Sequence, residues 1–288
     1  MNNAEFNDVC LRAIALGPAD EAAARTFLEQ SFTPVPVAGT GLLTGYFSPV
    51  YEARTQPDDM FSAPVRPRPA DLPPAGAGPY AERAEIEARP SADALAWMRP
   101  EDLFFLQIQG SGTLVFADGA RLAAVADGTN GAAFVGIARP MRDQGLLADN
   151  DTSAETIRTW LASHRGPLAQ ALMDLDPRYV FFRLRPDDGA EPAGAAGARL
   201  IPGRSIAVDP AAHALGELIW LDAAAPVLTG AFPTYRRLVV ALDTGGAIKG
   251  DARADLYLGR GPAAGLEAGR VRHQLRLWRL APIPRQGS

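Results

Sequence analysis

The sequence predicts a mainly β protein with a barrel in its C-terminal third and a few helices. Short segments rich in Val, Ile, Leu, Tyr and Trp follow one another there, separated by turns of Gly, Pro and Asp. A closed barrel suits such strands because closure pairs every edge. The segments are RSIAVDP, GELIWLDA, RRLVVALDTG, ADLYLGRG and HQLRLWRLAP.

The composition is that of a globular chain and excludes several kinds of site. Hydrophobic residues make up 47% of the 288 residues and charged residues 21%, which is ordinary for a folded domain. The formal net charge of −5, without any basic cluster, argues against nucleic acid as a partner. Cys10 is the only cysteine, and the three histidines are too widely spaced for a metal site. We therefore expect no disulfide within the chain, no metal and no other cofactor.

The N-terminal part begins with helices and changes to β structure near residue 40. Apolar residues at helical spacing in the first thirty residues predict two helices separated by a Gly-Pro break. GLLTGYFSPVYEA has the composition of short strands, and the proline-rich stretch 56–80 is predicted to be irregular. No apolar run is long enough for a transmembrane helix, and the first residues do not resemble a signal peptide. The sequence alone leaves the compartment open.

A β-meander is predicted from residue 103 onward. The segments FFLQIQ, TLVF and ARLAAV are separated by glycine turns. In the first of them, amides alternate with apolar residues, which places Gln107 and Gln109 on one strand face.

Helices and a further strand are predicted to follow the meander. Residues 151–165 have the pattern of a helix, with Thr152 and Glu155 as a capping box and Gly166 closing it. RYVFFRL is predicted to be a strand. The low-complexity stretch 186–199 is predicted to be a linker or mobile loop.

Three aspartates lie at the ends of predicted barrel strands: Asp209, Asp243 and Asp255. Strand ends converge at the rim of a closed barrel, so carboxylates distant in sequence can meet in one cleft. Aspartate is also a common turn residue, and the alternative is that each of them only ends a strand. The glycines after Asp243 permit close backbone approach to a ligand, although a tight hairpin explains them as well.

The loop after the second aspartate has features of two other kinds of site. The Asp-Thr-Gly triplet at 243–245 matches the signature of an aspartic protease, which needs two such aspartates and hence a dimer here. A phosphate-binding loop is excluded, because Ile248 precedes and Gly250 follows the lysine. Lys249 is the only lysine of the chain, and the sequence leaves open whether it contacts substrate or forms a structural salt bridge.

Several motifs, taken in order, resemble those of the membrane-bound lytic transglycosylase A family. AVDP, DTGGAIKG and ADLYLGRG resemble its three-aspartate domain, and GYFSPVYEA, LQIQGSG and YVFFR resemble its upstream signatures. The resemblance implies a double-psi β-barrel made of residues 1–50 and 183–288, an inserted β-rich domain at 51–182, and a substrate groove between them. One departure is that AVDPAAHALGE lacks the family's usual isoleucine-proline turn.

The resemblance also implies an activity. It is the cleavage, without water, of the β-1,4 bond between N-acetylmuramic acid and N-acetylglucosamine in peptidoglycan, which leaves 1,6-anhydromuramoyl ends. By position in the family's motif, Asp255 is the implied catalytic acid and Asp243 its neighbouring carboxylate. The implied partners are glycan strands and cell-wall enzyme complexes, for a monomeric protein in the periplasm at the outer membrane. Pattern and resemblance together assign substrate binding to Tyr46, Gln107, Gln109, Ser111, Gly112, Asp209, Gly245, Gly246, Ala247, Lys249 and Tyr257.

Elementary chemistry gives this activity independent support. Protonating a glycosidic oxygen requires a carboxylic acid that keeps its proton near neutral pH, and a nearby like charge raises the pKa of such a group. The same carboxylate then accepts the proton of the muramoyl C6 hydroxyl, which attacks C1. The alternative of a different class is a noncatalytic barrel that binds cell-wall glycan through the same aromatic and amide side chains.

Overall fold

The computed structural model describes residues 3–74, 78, 80–148, 152–224 and 233–283. The chain forms two compact units. The first, here called the barrel unit, comprises Met1–Thr44, Ala193–Leu256 and Val271–Ser288. The second unit comprises Gly45–Pro192 and Tyr257–Arg270.

Strands outnumber helices along the described chain. In chain order the elements are α1 Asn3–Leu16, α2 Glu21–Ser31, β1 Phe32–Pro36, β2 Gly41–Ser48, β3 Val50–Glu52, β4 Ala63–Val65, α3 Arg83–Glu87, β5 Ala96–Met98, α4 Pro100–Gln109, β6 Ser111–Val115, β7 Arg121–Thr129, α5 Ala138–Asp143, α6 Ala154–Ser163, α7 Pro167–Met173, β8 Val180–Pro186, β9 Ser205–Val208, β10 Leu218–Ala224, β11 Thr234–Thr244, β12 Arg253–Arg260, α8 Gly261–Ala268 and β13 Arg272–Pro282.

The sheet of the barrel unit closes on itself. Its strand order is β13-β10-β11-β9-β12-β2, and β2 pairs again with β13, while β1 extends the other side of β13. The central strand β9 runs parallel to β11 and antiparallel to β12. The predicted fold class, mainly β with a closed barrel, is confirmed, and all five predicted C-terminal strands are present.

Alternation along the barrel strands separates an inner from an outer face. On β10, Ile219, Leu221 and Ala223 are buried, and the residues between them are partly or fully exposed. Buried Leu275 and Leu277 on β13 follow the same period of two, as expected for strands whose one face lies against a core.

The second unit is built on a four-stranded sheet with the order β3-β6-β7-β8. β6 and β7 form the predicted antiparallel hairpin, and β8 is the predicted RYVFFRL strand. A core that includes Leu106, Leu114, Ala124 and Phe182 lies against this sheet.

The segment FFLQIQ is a helix, so the strand predicted there was wrong. Pro100 occupies the first turn of α4 and carboxylates follow it, as is favourable at a helix N-terminus. Gly110 ends the helix with a φ of 77°, a left-handed conformation typical of glycine at that position. Residues 101–107 are buried on every side, and a helix buried all round shows no helical period that would distinguish it from a strand.

The boundaries of the predicted helix at 151–165 also need correction. Its N-cap is Ser153, whose side chain accepts a hydrogen bond from the Thr156 amide, and not Thr152. The helix ends at Ser163, before the predicted closing residue. Gly166 instead precedes α7 with a φ of 126°.

The low-complexity stretch 186–199 passes from the second unit into the barrel unit and is hydrogen-bonded in both. In the second unit, Asp187 forms an ion pair with Arg260 at 2.8 Å. In the barrel unit, the Ala196 amide donates to the Leu242 carbonyl at 3.0 Å, and a side chain on Gly194 would collide with the same carbonyl. The stretch therefore connects the two units, as predicted, but is anchored rather than free.

None of the helices in the described ranges has the length and hydrophobicity needed to cross a membrane.

Candidate active site

Two of the three strand-end aspartates lie on either side of the same residue of β9. Asp243 on β11 and Asp255 on β12 are both paired with Ala207. Residues directly opposite each other on neighbouring strands point to the same face of a sheet. With strands about 4.8 Å apart, the two aspartate Cα atoms are separated by roughly 10 Å. The barrel thus brings two carboxylates from distant parts of the sequence to one face.

The Asp255 side chain is partly buried and hydrogen-bonded. Its Oδ1 accepts a hydrogen bond from the Thr44 hydroxyl at 2.5 Å. Burial raises the pKa of Asp255 above its ordinary value, and the negative charge of Asp243 raises it further. The Thr44 hydrogen bond and the Arg253 guanidinium act in the opposite direction without cancelling the rise in pKa. Asp255 therefore keeps its proton to a higher pH than an exposed aspartate.

Asp243 is held by backbone amides. Its Oδ1 accepts hydrogen bonds from the Ala195 amide at 3.0 Å and from its own neighbour, the Thr244 amide, at 2.9 Å. The turn that carries Ala195 thus helps to fix the position of the Asp243 carboxyl group.

The third aspartate, Asp209, binds the loop that contains the lysine. Its carboxylate accepts hydrogen bonds from the amides of Gly250 at 2.9 Å and Ala211 at 3.2 Å. Lys249 Nζ lies 3.6 Å from Asp209 Oδ1. The two amides and the lysine lower the pKa of Asp209. Lys249 therefore forms the salt bridge that the sequence had left open, and Asp209 connects the end of β9 to the loop after Asp243.

A buried histidine makes a second connection to this loop. His213 is buried and its Nδ1 lies 2.9 Å from Glu217, while Nε2 lies 2.7 Å from the carbonyl oxygen of Asp251. Both ring nitrogens face acceptors, so the protonated imidazole satisfies both. The Glu217 hydrogen bond raises the pKa of His213.

In the second unit, the two glutamines assigned to substrate have different environments. Gln107 is buried, with its carbonyl oxygen accepting from Arg83 at 2.6 Å and its amide donating to the Val180 carbonyl at 3.3 Å. Gln109 is half-buried at the last position of α4, where Ser111 follows. Because α4 is a helix, the two amides do not share a strand face as predicted.

Gly112 is buried, and because it has no side chain, neighbouring residues pack closely against its backbone. A Cβ there would lie 2.7 Å from Leu106 Cδ1 and 3.0 Å from the Pro49 carbonyl oxygen. The glycine therefore permits β6 to approach α4 and the residue before β3.

Two tyrosines of the second unit contact each other. Tyr46 is half-buried and its ring centroid lies 5.2 Å from that of buried Tyr257. The Tyr257 hydroxyl donates a hydrogen bond to Glu191 at 2.5 Å.

Gly245, Gly246, Ala247 and Lys249 lie in the loop after β11. Gly246, Ala247 and Lys249 are exposed, whereas Gly245 is partly buried.

Sequence reasoning missed Thr44, Ala195 and His213 as parts of this site. Thr44 and Ala195 act through one hydrogen bond each to an aspartate far away in the chain. No local pattern marks such a residue. His213 follows Asp209 and precedes Glu217 by four residues, so the spacing of His213 and Glu217 within AVDPAAHALGE was the available signal.

Two family models match most of the chain. The MltA specific insert domain matches residues 42–183, and the 3D domain matches residues 204–281. The second match contains all three aspartates.

Curated relatives carry a consistent name. The chain is 36% identical over 254 residues to "Membrane-bound lytic murein transglycosylase A" of Vibrio cholerae, covering 84% of this chain and 66% of that protein. It is 35% identical over 259 residues to the protein of the same name in Escherichia coli K12, covering 87% of this chain and 68% of that protein. The chain thus spans about two thirds of the length of these relatives.

Solved structures agree with the sequence matches. A membrane-bound lytic murein transglycosylase from Agrobacterium tumefaciens superposes with a TM-score of 0.82 at 32% identity, covering 97% of this chain and 84% of that one. MltA of E. coli with bound chitohexaose superposes with a TM-score of 0.80 at 31% identity, covering 98% and 84%.

Proposed function

Since the chain belongs to the membrane-bound lytic murein transglycosylase A family, we propose that it is a peptidoglycan lytic transglycosylase. It cleaves the β-1,4 bond between N-acetylmuramic acid and N-acetylglucosamine and leaves 1,6-anhydromuramoyl ends. The family resemblance seen in the motifs is confirmed by the two family models and the relatives. The bound chitohexaose of the E. coli relative is a glycan, which supports a glycan substrate here.

The observation that carries this proposal is the pair of carboxylates flanking Ala207. Asp255 has a raised pKa and thus keeps a transferable proton to a higher pH than an exposed aspartate, and Asp243 is the charge that helps to keep it protonated. An intramolecular reaction needs no second catalytic carboxylate, unlike ordinary glycoside hydrolysis.

Asp255 acts in two steps. It first gives its proton to the glycosidic oxygen, the bond from that oxygen to the muramoyl C1 breaks, and the N-acetylglucosamine leaves as an alcohol. The Asp255 carboxylate then accepts the proton of the muramoyl C6 hydroxyl while that oxygen bonds to C1. Asp255 ends protonated again, and no water is consumed.

The residues proposed to contact sugar fall into two groups. Exposed or half-buried positions have surface available for contact: Tyr46, Gln109, Ser111, Gly245, Gly246, Ala247 and Lys249. The others support the site from within: the side chains of Gln107, Asp209 and Tyr257 are buried and hydrogen-bonded, and Gly112 permits close packing.

We place the protein in the periplasm, associated with the outer membrane, because its relatives are named as membrane-bound. It acts as a monomer, with both carboxylates supplied by one chain, and cell-wall enzyme complexes are its proposed protein partners. Because one chain supplies both carboxylates, nothing here supports an aspartic protease that needs a dimer.

The products of peptidoglycan digestion test this function. An intramolecular attack gives muropeptides one water lighter than those of a hydrolase, and their closed rings resist borohydride reduction. Mass spectrometry of digested sacculi measures both properties, with the Asp255→Asn variant as the inactive control. Reducible fragments of hydrolytic mass contradict the transglycosylase mechanism, and intact sacculi favour the noncatalytic glycan-binding barrel.

A further inference from the structure

The outer face of the barrel carries a row of large apolar side chains that the active site does not use. Trp220 on β10 is paired with Trp278 on β13, and on its other side with Leu238 on β11. The neighbours of Trp220 and Trp278 along their strands, such as Ile219 and Leu277, are buried in the barrel. The two tryptophans therefore point outward, and Trp220 is 38% exposed.

Helix α2 and this row enclose a groove of about 1120 Å³. Leu28 and Ala24 of α2 form one wall, and Trp220, Trp278 and Leu238 form the other. Binding sites for small ligands commonly have volumes of about 300–1,000 Å³. This groove is therefore large enough for several units of a polymer, and its concave form does not suit the flat surface of a bilayer.

Positive charge surrounds the groove although the chain as a whole is negative. Four arginines and two glutamates line it: Arg25, Arg204, Arg236, Arg237, Glu21 and Glu29. Arg236 is paired with Asp222, and Arg204 donates to the Leu238 carbonyl. Each guanidinium has five N–H donors, so these single contacts leave donors for a carboxylate ligand.

We propose that this groove is a second binding surface for peptidoglycan, which holds a strand by its sugar rings and stem-peptide carboxylates. Indole faces stack on the apolar faces of pyranose rings, and the arginines complement the carboxylates of the peptides. The inference rests on the proposed function, because that function supplies the polymer. It adds a site on the outside of the barrel that increases the affinity for the polymer without taking part in bond cleavage.

Binding to purified sacculi, measured by sedimentation at low temperature, tests this surface. The Trp220→Ala/Trp278→Ala variant is expected to bind about tenfold more weakly, as loss of a central aromatic contact would cause. Phe134→Ala, which removes an aromatic side chain 37% exposed in the second unit, is the matched control and should bind as the wild type does. Thermal melting establishes that the double variant is folded.

A charge reversal tests the same surface without touching its packing. Arg25 is exposed on α2, so Arg25→Glu should weaken binding to sacculi while the protein keeps its melting temperature. Arg139→Glu makes the same change of charge at an exposed position of the second unit and should have no effect. On glycan strands stripped of stem peptides by an amidase, the effect of Arg25→Glu should disappear.

Cleavage of a short soluble glycan should be unchanged in these variants, because they leave Asp255 and its neighbours intact. Unaltered binding of both groove variants to sacculi overturns the inference, even where cleavage proceeds as proposed. If the groove variants lose binding to anionic phospholipid vesicles but still bind sacculi as the wild type does, the inference is also overturned. The groove would then be a membrane contact. If the wild type binds sacculi through the groove but leaves them intact, the proposed function fails and the surface stands.

Discussion

At the scale of single residues, the protonation of Asp255 depends on a few identified neighbours. Burial and Asp243 raise its pKa, while Thr44 and Arg253 lower it. The proposed acid must be protonated to act, so the basic limb of the pH profile should report its pKa. Substituting a neighbour that raises the pKa of Asp255 should move this limb to lower pH. Substituting a neighbour that lowers the pKa should move it to higher pH.

Asp243→Asn is expected to shift the basic limb to lower pH by about half a pH unit. Removing the negative charge of a residue whose Cα lies roughly 10 Å from that of Asp255 makes ionisation of Asp255 easier. The asparagine oxygen still accepts the hydrogen bonds of Ala195 and Thr244, so the turn should stay in place. The pH dependence of kcat/KM on a soluble glycan measures the shift, and an unmoved limb would show that the two carboxylates do not interact.

Thr44→Val should shift the same limb to higher pH, also by about half a pH unit, because a hydrogen bond that stabilises the ionised carboxyl is lost. The control is Thr44→Ser, which keeps the hydroxyl and should keep the wild-type profile. A downward shift, or equal shifts in both variants, would contradict the assignment of this hydrogen bond to Asp255.

The sequence indicated the three aspartates but not how each is used. Strand ends and glycines mark Asp209, Asp243 and Asp255 as candidates. Their division into a proposed acid, a neighbouring charge and a loop anchor depends on pairings across the barrel, which a local pattern does not contain. The role of Lys249 was open for the same reason, because its partner lies 40 positions earlier in the chain.

At the scale of elements, two hydrogen bonds connect the loop after β11 to the segment that follows β9. The Asp209 carboxylate accepts one from the Gly250 amide, and the His213 ring donates one to the Asp251 carbonyl. The turn from Asp209 to Glu217 thus determines where the loop lies relative to Asp243.

Glu217→Gln is expected to flatten the dependence of melting temperature on pH above about pH 6.5, the pKa of an unfolded histidine. Because the pKa of folded His213 is raised, its contribution to stability is fully present below about pH 6.5, the pKa of an unfolded histidine. It is lost as the pH rises through the higher folded value. Glutamine removes the main cause of the raised pKa, while Arg279, 3.5 Å from Glu217, remains.

The control for this prediction is His164→Gln, at an exposed histidine of the second unit. It should leave the pH dependence of melting as in the wild type. A Glu217→Gln protein with the full wild-type slope would contradict the role given to the buried pair.

Short strands bounded by turn residues were predicted well, whether or not they alternate. β10 and β13 alternate between buried and exposed residues, whereas β9 is buried at all four of its positions, and all five predicted barrel strands were found. Helix α4 is buried on every side, so its apolar run resembles a strand. Gln107 was therefore wrongly placed on a strand face. The N-cap of α6 was misplaced by one residue, since Thr152 and Ser153 are both suitable caps.

At the scale of the whole molecule, the proposed acid Asp255 and its neighbouring carboxylate Asp243 belong to one closed barrel. The family and the barrel were predictable from motifs and strand spacing, and both are confirmed. The boundaries 1–50 with 183–288 and 51–182 stay predictions, as does the groove between the two domains. The number of chains needed for activity follows from the pairing around Ala207 and can be tested directly.

A mixing experiment distinguishes a monomeric enzyme from a dimer with a shared site. Asp243 and Asp255 flank Ala207 of the same chain, so each molecule should carry a complete site. A tenfold excess of the Asp243→Asn/Asp255→Asn double variant added to wild type, with soluble glycan far above KM, should therefore leave the rate per wild-type molecule unchanged. In a dimer whose two chains each supply one aspartate, as in the protease alternative, most wild-type chains would be trapped with inactive partners and the rate would fall severalfold. Sedimentation velocity at the assay concentration, expected to give a monomer, establishes that an unchanged rate does not reflect slow exchange between preformed dimers.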